Sequence, residues 1–341
     1  MDDSLIRQSR LARNTRPLSL RPCEVWGHGD FLHICFSSVG CRFRQAGYCT
    51  MCDYGGSCNV TPGEAISGLR DALNGAECFV REILLGTCGS ILDEREMAWK
   101  TLRVILDAVY QSGIPSVILE THYTTVTPKV LARIREALPD REVIIELGFE
   151  SSNPWVLEHS LCKYMNLDAL ADTVERIHRF HMEAVLNVFL GAPFLSPRNQ
   201  IRDAHASIAW AAAHGASRVV VFPANLKPNT LLWKLWQDGS YRRLSHWMLI
   251  ELLSELERPL LEKVELSWYG DRQDKGQATQ ILPPEDCPVC HGMLMDFYQA
   301  FMKDFDPMYR QRLLERLRTQ ATCSCRKEVL ASLKENTEDE A

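Results

Sequence analysis

Three cysteines near the start of the chain are the residues best suited to chemistry. Cys41, Cys49 and Cys52 have the spacing C-x7-C-x2-C and follow an apolar run, Phe31–Phe36, which we predict to be a strand. A loop that leaves a strand end can place three thiolates around one inorganic centre. Three ligands leave one position of a tetrahedral site, or one iron of a 4Fe-4S cluster, open to another molecule. The spacing therefore favours a catalytic centre over a structural zinc site closed by Cys58, and over a disulfide framework.

The length and composition fit a large α/β protein. The 341 residues, 46% of them hydrophobic and 24% charged, suffice for a barrel of ~200–250 residues with an appendage, or for two ordinary domains. No apolar run reaches the ~18 residues of a membrane span, and the N-terminus lacks a secretion signal, so we expect a cytoplasmic protein without a membrane partner. Thirteen cysteines in such a chain indicate thiols that serve as metal ligands. The net charge of -6 argues against bulk nucleic-acid binding but leaves local basic patches open.

Apolar runs alternate with segments of helical period between residues 29 and 232. Six strands alternating with helices predict a parallel sheet with right-handed crossovers, and their near-continuous hydrophobicity indicates that both faces are buried. Six units are fewer than the eight of a complete barrel. We therefore predict a partial (β/α)6 TIM-type barrel with its active groups at the carboxyl ends of the strands. The six runs are Phe31–Phe36, Phe79–Leu85, Ser116–Glu120, Val143–Leu147, Ala184–Leu190 and Arg218–Phe222.

Small or polar residues lie at several of these strand ends. One such residue is weak evidence, because strand ends often carry capping or turn residues. Several at the same end of successive strands, beside a three-thiolate loop, predict a functional site. They are the turn Gly86–Ser90, then Glu120–His122, Glu146–Ser151 with Cys162 and Lys163 after it, Asn187 ahead of Gly191–Pro193, and Lys227–Thr230.

Two segments flank the predicted barrel. Residues 1–28 form a basic N-terminal extension, with five arginines among Ser, Asn and Pro, that either contacts a phosphate backbone or packs as a solvated tail. Residues 233–330 form a small, mostly helical, cysteine-rich appendage, in which one long helix is predicted to run to about Glu262. Residues 331–341 are acidic and are predicted to be a disordered tail.

The appendage contains a second group of cysteines. Cys287 and Cys290 form a C-x2-C pair, and Cys323 and Cys325 form a C-x-C pair. A helical hairpin between the pairs would bring four thiolates together, which fits a structural zinc or an auxiliary iron–sulfur cluster; the alternative is four free thiols. The same region carries a basic run from Arg310 to Lys327, which is either a phosphate-binding face or the solvated side of a helix.

A three-cysteine loop after a strand, followed by a partial barrel, resembles the radical S-adenosylmethionine superfamily. The usual spacing there is C-x3-C-x2-C, so the resemblance depends on neighbouring residues as well. Gly40-Cys41 and the stretch Gly47–Tyr54 resemble the branch of archaeosine-biosynthesis radical S-adenosylmethionine proteins and, more distantly, the Elongator catalytic subunit. The resemblance spans about residues 29–326. Further matching segments are Gly89–Asp93, Leu147–Ser151, Asn229–Leu231, Gly239–Arg242 and the C-terminal cysteine pairs.

The resemblance implies a set of cofactor contacts. Cys41, Cys49 and Cys52 would bind a 4Fe-4S cluster, whose open iron binds the methionine amino and carboxylate groups of S-adenosylmethionine. The Gly89-Ser90 turn would meet that amino group, and Lys163 would pair with the carboxylate. Glu150 would bind the ribose, and Asn187 would make a second ribose or adenine contact. Cys88 departs from the family pattern, and we interpret it as a packing thiol. No catalytic residue is assigned.

The implied reaction is reductive cleavage. An electron donor of the reductase or flavodoxin type would reduce the cluster, S-adenosylmethionine would break to a 5′-deoxyadenosyl radical, and that radical would abstract a substrate hydrogen. The substrate is either a tRNA nucleoside or its amino-acid adduct, with tRNA or a partner enzyme bound, or a small amino-acid-like metabolite. A third hypothesis is a zinc-stabilised binding protein without redox chemistry, which leaves the strand-end residues without a purpose.

Overall fold

An eight-stranded sheet forms the centre of the molecule. The computed structural model describes residues 23–28, 30–53, 58–76, 79–267, 281–320 and 323–334. The strands lie side by side in the order of the sequence; β1 is antiparallel to β2, and β2 to β8 are parallel. They are β1 (Cys23–His28), β2 (Phe31–Phe36), β3 (Glu82–Thr87), β4 (Ser116–Thr121), β5 (Glu142–Glu150), β6 (Glu183–Leu190), β7 (Arg218–Pro223) and β8 (Val264–Leu266).

Helices connect the parallel strands and continue into the C-terminal region. Several begin at a Ser, Thr or Asn whose side chain accepts a hydrogen bond from the first turn, as at Thr61, Thr127, Asn166 and Ser196. The helices are α1 (Arg42–Gln45), α2 (Pro62–Asn74), α3 (Trp99–Ser112), α4 (Pro128–Ala137), α5 (Leu167–Arg179), α6 (Pro197–Ala213), α7 (Leu231–Gln237), α8 (His246–Glu255), α9 (Arg258–Leu261), α10 (Pro288–Lys303), α11 (Pro307–Gln320) and α12 (Ser324–Ser332).

The predicted α/β partial barrel with a helical C-terminal part is confirmed, with a larger sheet than expected. Strand β1 covers the last six residues of the segment predicted as an extension, and β8 continues the parallel sheet to seven strands. Residues 1–22 of the predicted extension and residues 335–341 of the predicted tail lie outside the described residues. The long helix predicted to reach Glu262 is instead two helices, α8 and α9, because Pro259 cannot continue a helix begun upstream.

Inward-facing side chains divide the barrel interior into layers. At the amino-terminal end of the strands, Arg218 binds Glu265 (2.7 Å) and Glu82 (3.2 Å) and so links β7, β8 and β3. Above this ion pair, one buried apolar residue from each of five strands forms a small core: Leu84, Ile118, Ile144, Val185 and Val220. The opposite face of the sheet packs on the helices in a larger core. The apolar layer separates the ion pair from a polar mouth at the carboxyl ends of the strands.

The C-terminal helices pack beside the barrel. Helix α8 contacts α6, and α10, α11 and α12 contact β8, α9 and α8. None of the helices in the described ranges combines the length and the apolarity that crossing a bilayer requires.

Candidate active site

One cavity lies at the carboxyl ends of the strands, and the residues predicted to bind cofactors line it. Cys41, Cys49 and Cys52 lie on the segment after β2, and residues from β4 to β7 and from the loops after β3, β4, β5 and β7 complete the wall. No fourth cysteine is among the described residues that line the cavity, and Cys58 is exposed. The structure thus brings together all eight predicted residues: Cys41, Cys49, Cys52, Gly89, Ser90, Glu150, Lys163 and Asn187.

Backbone hydrogen bonds fix the cysteine loop to two other loops. The Cys41 N–H donates to the carbonyl of Cys88 (3.0 Å), and the Cys49 N–H donates to the carbonyl of Cys162 (3.2 Å). Cys49 itself has a left-handed backbone (φ 59°), and Gly47, two residues earlier, has φ 85°. A glycine adopts this conformation without steric cost, which explains the residue at position 47.

Thr50 anchors the cysteine loop through three hydrogen bonds. Its N–H donates to Leu161 O (2.9 Å), its hydroxyl donates to Ser160 O (2.8 Å), and its carbonyl accepts from the Leu231 N–H (3.0 Å). Ser160 ends a single π-helical turn, Val156–Ser160, and Leu231 begins α7. The position of the cysteines is therefore set by two elements distant in sequence.

The surroundings of the three thiols favour the binding of a metal centre. Burial raises the pKa of the Cys41 and Cys49 thiols, and the Lys163 ammonium lowers that of both. Metal binding requires thiolates, so a bound centre would displace these protons. A partly buried set of three thiols near the Lys163 ammonium, with cavity space beside it, fits an iron–sulfur cluster with one open iron.

Glu96 organises the turn after β3, and sequence reasoning missed it. Its carboxylate accepts from the Ser90 N–H (3.1 Å), the Thr87 hydroxyl (3.0 Å) and the Ser38 hydroxyl (3.1 Å). A Cβ on Gly89 would lie 2.5 Å from the Glu96 carboxylate, so any other residue there would have to displace Glu96. Burial raises the pKa of Glu96. Glu96 lies in a short connection without periodicity, so the sequence carried no signal for this role.

Lys163 and Glu150, predicted to bind different parts of S-adenosylmethionine, are bonded to each other. The Lys163 ammonium donates to Glu150 Oε1 (2.7 Å) and to the carbonyl of Gly148 (2.8 Å). Glu150 follows an irregular register in β5 and has a left-handed backbone (φ 73°). Burial lowers the pKa of Lys163, but the negative charges of Glu150 and Cys49 outweigh it, and the net pKa is raised.

The deep part of the cavity is rich in hydrogen-bond acceptors. Asn187 donates to Glu146 (2.9 Å), and burial together with the charge of Glu120 raises the pKa of Glu146 to about 8. The side-chain oxygens of Asn187 and Asn225 are shielded from solvent and have no hydrogen-bond partner among the described residues. Asn225 was not predicted, although its position two residues after the end of β7 is the kind of signal that singled out the other strand ends.

An aromatic wall closes one side. The His122 ring stacks on Phe43 with centroids 4.1 Å apart, and its Nδ1 is 2.8 Å from the Thr124 hydroxyl. Burial and the charges of Lys163 and Arg42 lower the pKa of His122 to about 3, so its ring is neutral near pH 7. Across the mouth, Lys227 lies 3.5 Å from Asp53.

Comparisons with known proteins agree with this geometry. No model of a known protein family matches the sequence. The chain is 26% identical over 281 residues to archaeosine synthase subunit beta of Methanosarcina acetivorans, covering 81% of this chain and 79% of that protein. It is 24% identical over 246 residues to the same subunit of Thermococcus kodakarensis, covering 70% and 76%. Among solved structures, methylornithine synthase superposes with a TM-score of 0.50 at 14% identity, covering 77% of this chain and 69% of that one, which is a likeness of fold.

The curated relatives are archaeosine-biosynthesis proteins, the branch that the cysteine motif resembles. Both relatives confirm the resemblance to that branch, which the sequence indicated. The assignment of Cys41, Cys49 and Cys52 as cluster ligands remains a prediction, as do the roles predicted for Gly89, Ser90, Glu150, Lys163 and Asn187.

The C-terminal cysteines also come together, away from this cavity. The sulfur atoms of Cys287, Cys290, Cys323 and Cys325 all lie within 4.8 Å of one another. The basic run in the same region is only partly a surface: Arg312 and Arg316 are exposed, but Arg310 is fully buried. Arg310 therefore does not contribute to a phosphate-binding face.

Proposed function

We propose that this enzyme uses a 4Fe-4S cluster held by Cys41, Cys49 and Cys52, together with S-adenosylmethionine, to modify a tRNA nucleoside or its amino-acid adduct. The observation that carries the proposal is the single cavity lined by the three cysteines and by the five predicted S-adenosylmethionine contacts. When bound, the reduced cluster would supply the electron that cleaves S-adenosylmethionine to methionine and the 5′-deoxyadenosyl radical, which takes a hydrogen atom from the substrate.

The protein residues would hold S-adenosylmethionine by matching charge to charge and acceptor to donor. A lysine ammonium can donate three hydrogen bonds, and Lys163 donates two of them to Glu150 and Gly148. The remaining donor points to a role in holding the methionine carboxylate. Glu150, fixed by this ion pair, would accept hydrogen bonds from ribose hydroxyls.

The turn Gly89-Ser90 would meet the methionine amino group. Glu96 holds this turn from behind through the Ser90 N–H, so the turn is positioned before any ligand arrives. Preorganisation of this kind lowers the free-energy cost of ordering the site on binding.

The acceptors deeper in the mouth would recognise a substrate that carries N–H or O–H donors. A buried acceptor without a donor costs free energy, and the oxygens of Asn187 and Asn225 are such acceptors. A nucleoside presents donors on its base and ribose, and the neutral His122–Phe43 wall offers a flat surface against which a base can stack. These features support a nucleoside substrate.

The names of the relatives support both a nucleoside substrate and a partner subunit. Both are named archaeosine synthase subunit beta, and we therefore propose that this chain also works with a second protein subunit. In this arrangement tRNA binding is shared between the subunits, which agrees with the net charge of -6 on this chain.

A small amino-acid-like metabolite is the second candidate substrate. It is favoured by the burial of Arg310, which leaves the predicted phosphate-binding run with fewer surface cations than the sequence indicated. An enzyme for a small metabolite needs no extended basic surface.

Reaction assays on anaerobically reconstituted protein distinguish these possibilities. The wild type should bind about four iron and four sulfide ions in the first site and form 5′-deoxyadenosine with dithionite and S-adenosylmethionine. The variant Cys41→Ala/Cys49→Ala/Cys52→Ala should lose both. If the wild type forms no 5′-deoxyadenosine, the proposed chemistry is wrong.

The substrate is tested with tRNA isolated from a host strain that lacks this protein, because such tRNA accumulates the unmodified precursor. Intact tRNA should raise 5′-deoxyadenosine formation above the substrate-free rate, and mixed free amino acids should not. A stimulation by amino acids alone would favour the metabolite and overturn the nucleoside.

A further inference from the structure

The four C-terminal cysteines occupy equivalent places on two helices. Cys287 immediately precedes α10 and Cys290 lies in its first turn; Cys323 immediately precedes α12 and Cys325 lies in its first turn. The helical hairpin α10–α11 returns the chain so that the two N-termini meet. Both helix N-termini direct partial positive charge toward the sulfur atoms, which favours thiolates.

The distances between the sulfur atoms exclude a disulfide. Cys287 Sγ lies 3.2 Å from Cys323 Sγ, and Cys290 Sγ lies 3.4 Å from Cys325 Sγ, far beyond the ~2.05 Å of an S–S bond.

The same distances decide between one ion and a cluster. A zinc ion with tetrahedral bonds of ~2.3 Å to sulfur sets its ligand sulfurs ~3.8 Å apart. In an iron–sulfur cluster the cysteines bind different iron atoms and stand around the outside of the cluster, so four sulfurs within 4.8 Å of one another leave no room for it. The site has the size of a single ion.

The surroundings of the site provide donors for thiolate sulfur. Trp247 is fully buried, and its indole N–H lies beside Cys325 with no oxygen or nitrogen acceptor among the described residues. Arg326 lies over the Trp247 ring at 5.4 Å and within 3.7 Å of Glu251. Four thiolates around a divalent ion carry a net negative charge, which the indole N–H partly offsets, while the Arg326 guanidinium is paired with Glu251.

The segment before Cys287 links this site to the barrel. Asp286 accepts from the Ser245 hydroxyl and the His246 N–H, both at 3.0 Å, at the start of α8. Upstream, Leu282 and Leu226 exchange backbone hydrogen bonds of 2.8 and 2.9 Å. Leu226 is flanked by two residues that line the active-site cavity, Asn225 and Lys227.

We propose that Cys287, Cys290, Cys323 and Cys325 bind one zinc ion in a closed tetrahedral site. The ion joins α12 to α10 and stabilises the segment that braces the edge of the active-site cavity. Zinc has no redox chemistry, so the ion does not transfer electrons, and a site of four protein thiolates has neither an open position nor a sulfide to donate. This inference is independent of the proposed substrate.

The test separates the two metal sites. The full-length variant Cys41→Ala/Cys49→Ala/Cys52→Ala, expressed with both iron and zinc in the medium, lacks the three proposed cluster ligands and keeps all four C-terminal cysteines. Elemental analysis should find about one zinc per chain, with neither iron nor acid-labile sulfide. Replacement of zinc by cobalt(II) should produce the intense visible bands of a tetrahedral cobalt–thiolate centre. Iron with or without sulfide in this variant, or no metal at all, would overturn the proposal.

Ligand variants made in the same background identify the residues. Adding Cys287→Ala and Cys323→Ala should reduce bound zinc at least tenfold, whereas adding Cys58→Ala, an exposed cysteine, should leave it unchanged. Should the ligand variant fail to fold, the cobalt spectrum of the background variant still decides, because a spectrum without tetrahedral thiolate bands would contradict the site.

Discussion

At the scale of single residues, the site depends on close contacts between residues that line the cavity and residues behind them. Gly89 and Glu96 show this most directly. The Glu96 carboxylate occupies the space that a side chain at position 89 would need, and it binds the Ser90 N–H next to it. The turn thus keeps its conformation because Gly89 has no side chain and because the buried Glu96 carboxylate binds the Ser90 N–H.

We predict that Gly89→Ala weakens S-adenosylmethionine binding at least ~10-fold, about 1.4 kcal/mol, because the new methyl group displaces Glu96 and with it the turn. Iron content should not change, since the cysteines lie on another loop. Equilibrium binding of S-adenosylmethionine to the reconstituted protein measures the effect. The matched control is Gly63→Ala in the first turn of α2, where a Cβ meets nothing within 4 Å; equal affinities in the two variants would contradict the explanation.

Glu146 gives the stability a dependence on pH. An unfolded glutamate loses its proton near pH 4.5, whereas folded Glu146 keeps it to about pH 8. Between these values the folded state holds the extra proton, so the free energy of unfolding falls as the pH rises, by up to ~1.4 kcal/mol per pH unit from this residue. Glu146→Gln should remove this contribution. Urea denaturation at pH 5 and pH 8 measures it, with the exposed Glu142→Gln on the same strand as the control. If the free energy of unfolding of Glu146→Gln fell between pH 5 and pH 8 by as much as that of the wild type, Glu146 would not be the source of the pH dependence.

At the scale of elements, the cysteine loop takes its position from the segments that it touches. Ser160 at the end of the π-helical turn Val156–Ser160 and Leu161 directly after it each accept a hydrogen bond from Thr50, and the start of α7 donates to Thr50 from the other side. Single π-helical turns are rare and often occur at functional sites. Here the turn also leads directly into Cys162 and Lys163.

We predict that Thr50→Val loosens this attachment. Valine has nearly the shape of threonine but leaves the buried Ser160 carbonyl without its donor, a loss of roughly 1–3 kcal/mol. The iron retained after reconstitution and gel filtration should fall, and urea denaturation should show the lower stability. Thr50→Ser keeps the hydroxyl and should restore iron retention. If both variants retained iron like the wild type, the hydroxyl would have no role in holding the loop.

The elements show what the sequence can and cannot predict. The six strands were predictable because buried parallel strands form uninterrupted apolar runs. Strand β1 was missed because its run, Cys23–His28, is short and adjoins a segment rich in arginine and proline. The cofactor-site residues could be placed together, since they lie on the strands or on the segments that follow them. Their partners could not, because the contacts of Glu96 with Gly89 and of Lys163 with Glu150 arise only when separate segments fold together.

At the scale of the whole molecule, Arg310 connects the C-terminal helices to the barrel. Its guanidinium donates to the carbonyls of Leu261 (2.7 Å), Val264 (2.7 Å), Asp304 (2.8 Å) and Phe301 (3.1 Å). It lies over two aromatic rings as well, 4.0 Å from Phe301 and 4.2 Å from Phe305. One buried side chain thus satisfies carbonyls from α9, β8 and the end of α10. Its place in the basic run Arg310–Lys327 gave no indication of this role.

We predict that Arg310→Met lowers the free energy of unfolding by roughly 3–5 kcal/mol, because several buried carbonyls lose their donors at once. Arg312→Met, two residues along α11 and exposed, should change it by less than ~0.5 kcal/mol. Urea denaturation of the zinc-loaded proteins measures the difference, and limited proteolysis shows whether the C-terminal helices open first. The effects on tRNA binding should be reversed. Arg312→Met should weaken tRNA retention at low salt if this face contacts phosphate, whereas folded Arg310→Met should retain tRNA as the wild type does. Equal stability of the two variants would mean that Arg310 does not hold the helices to the barrel.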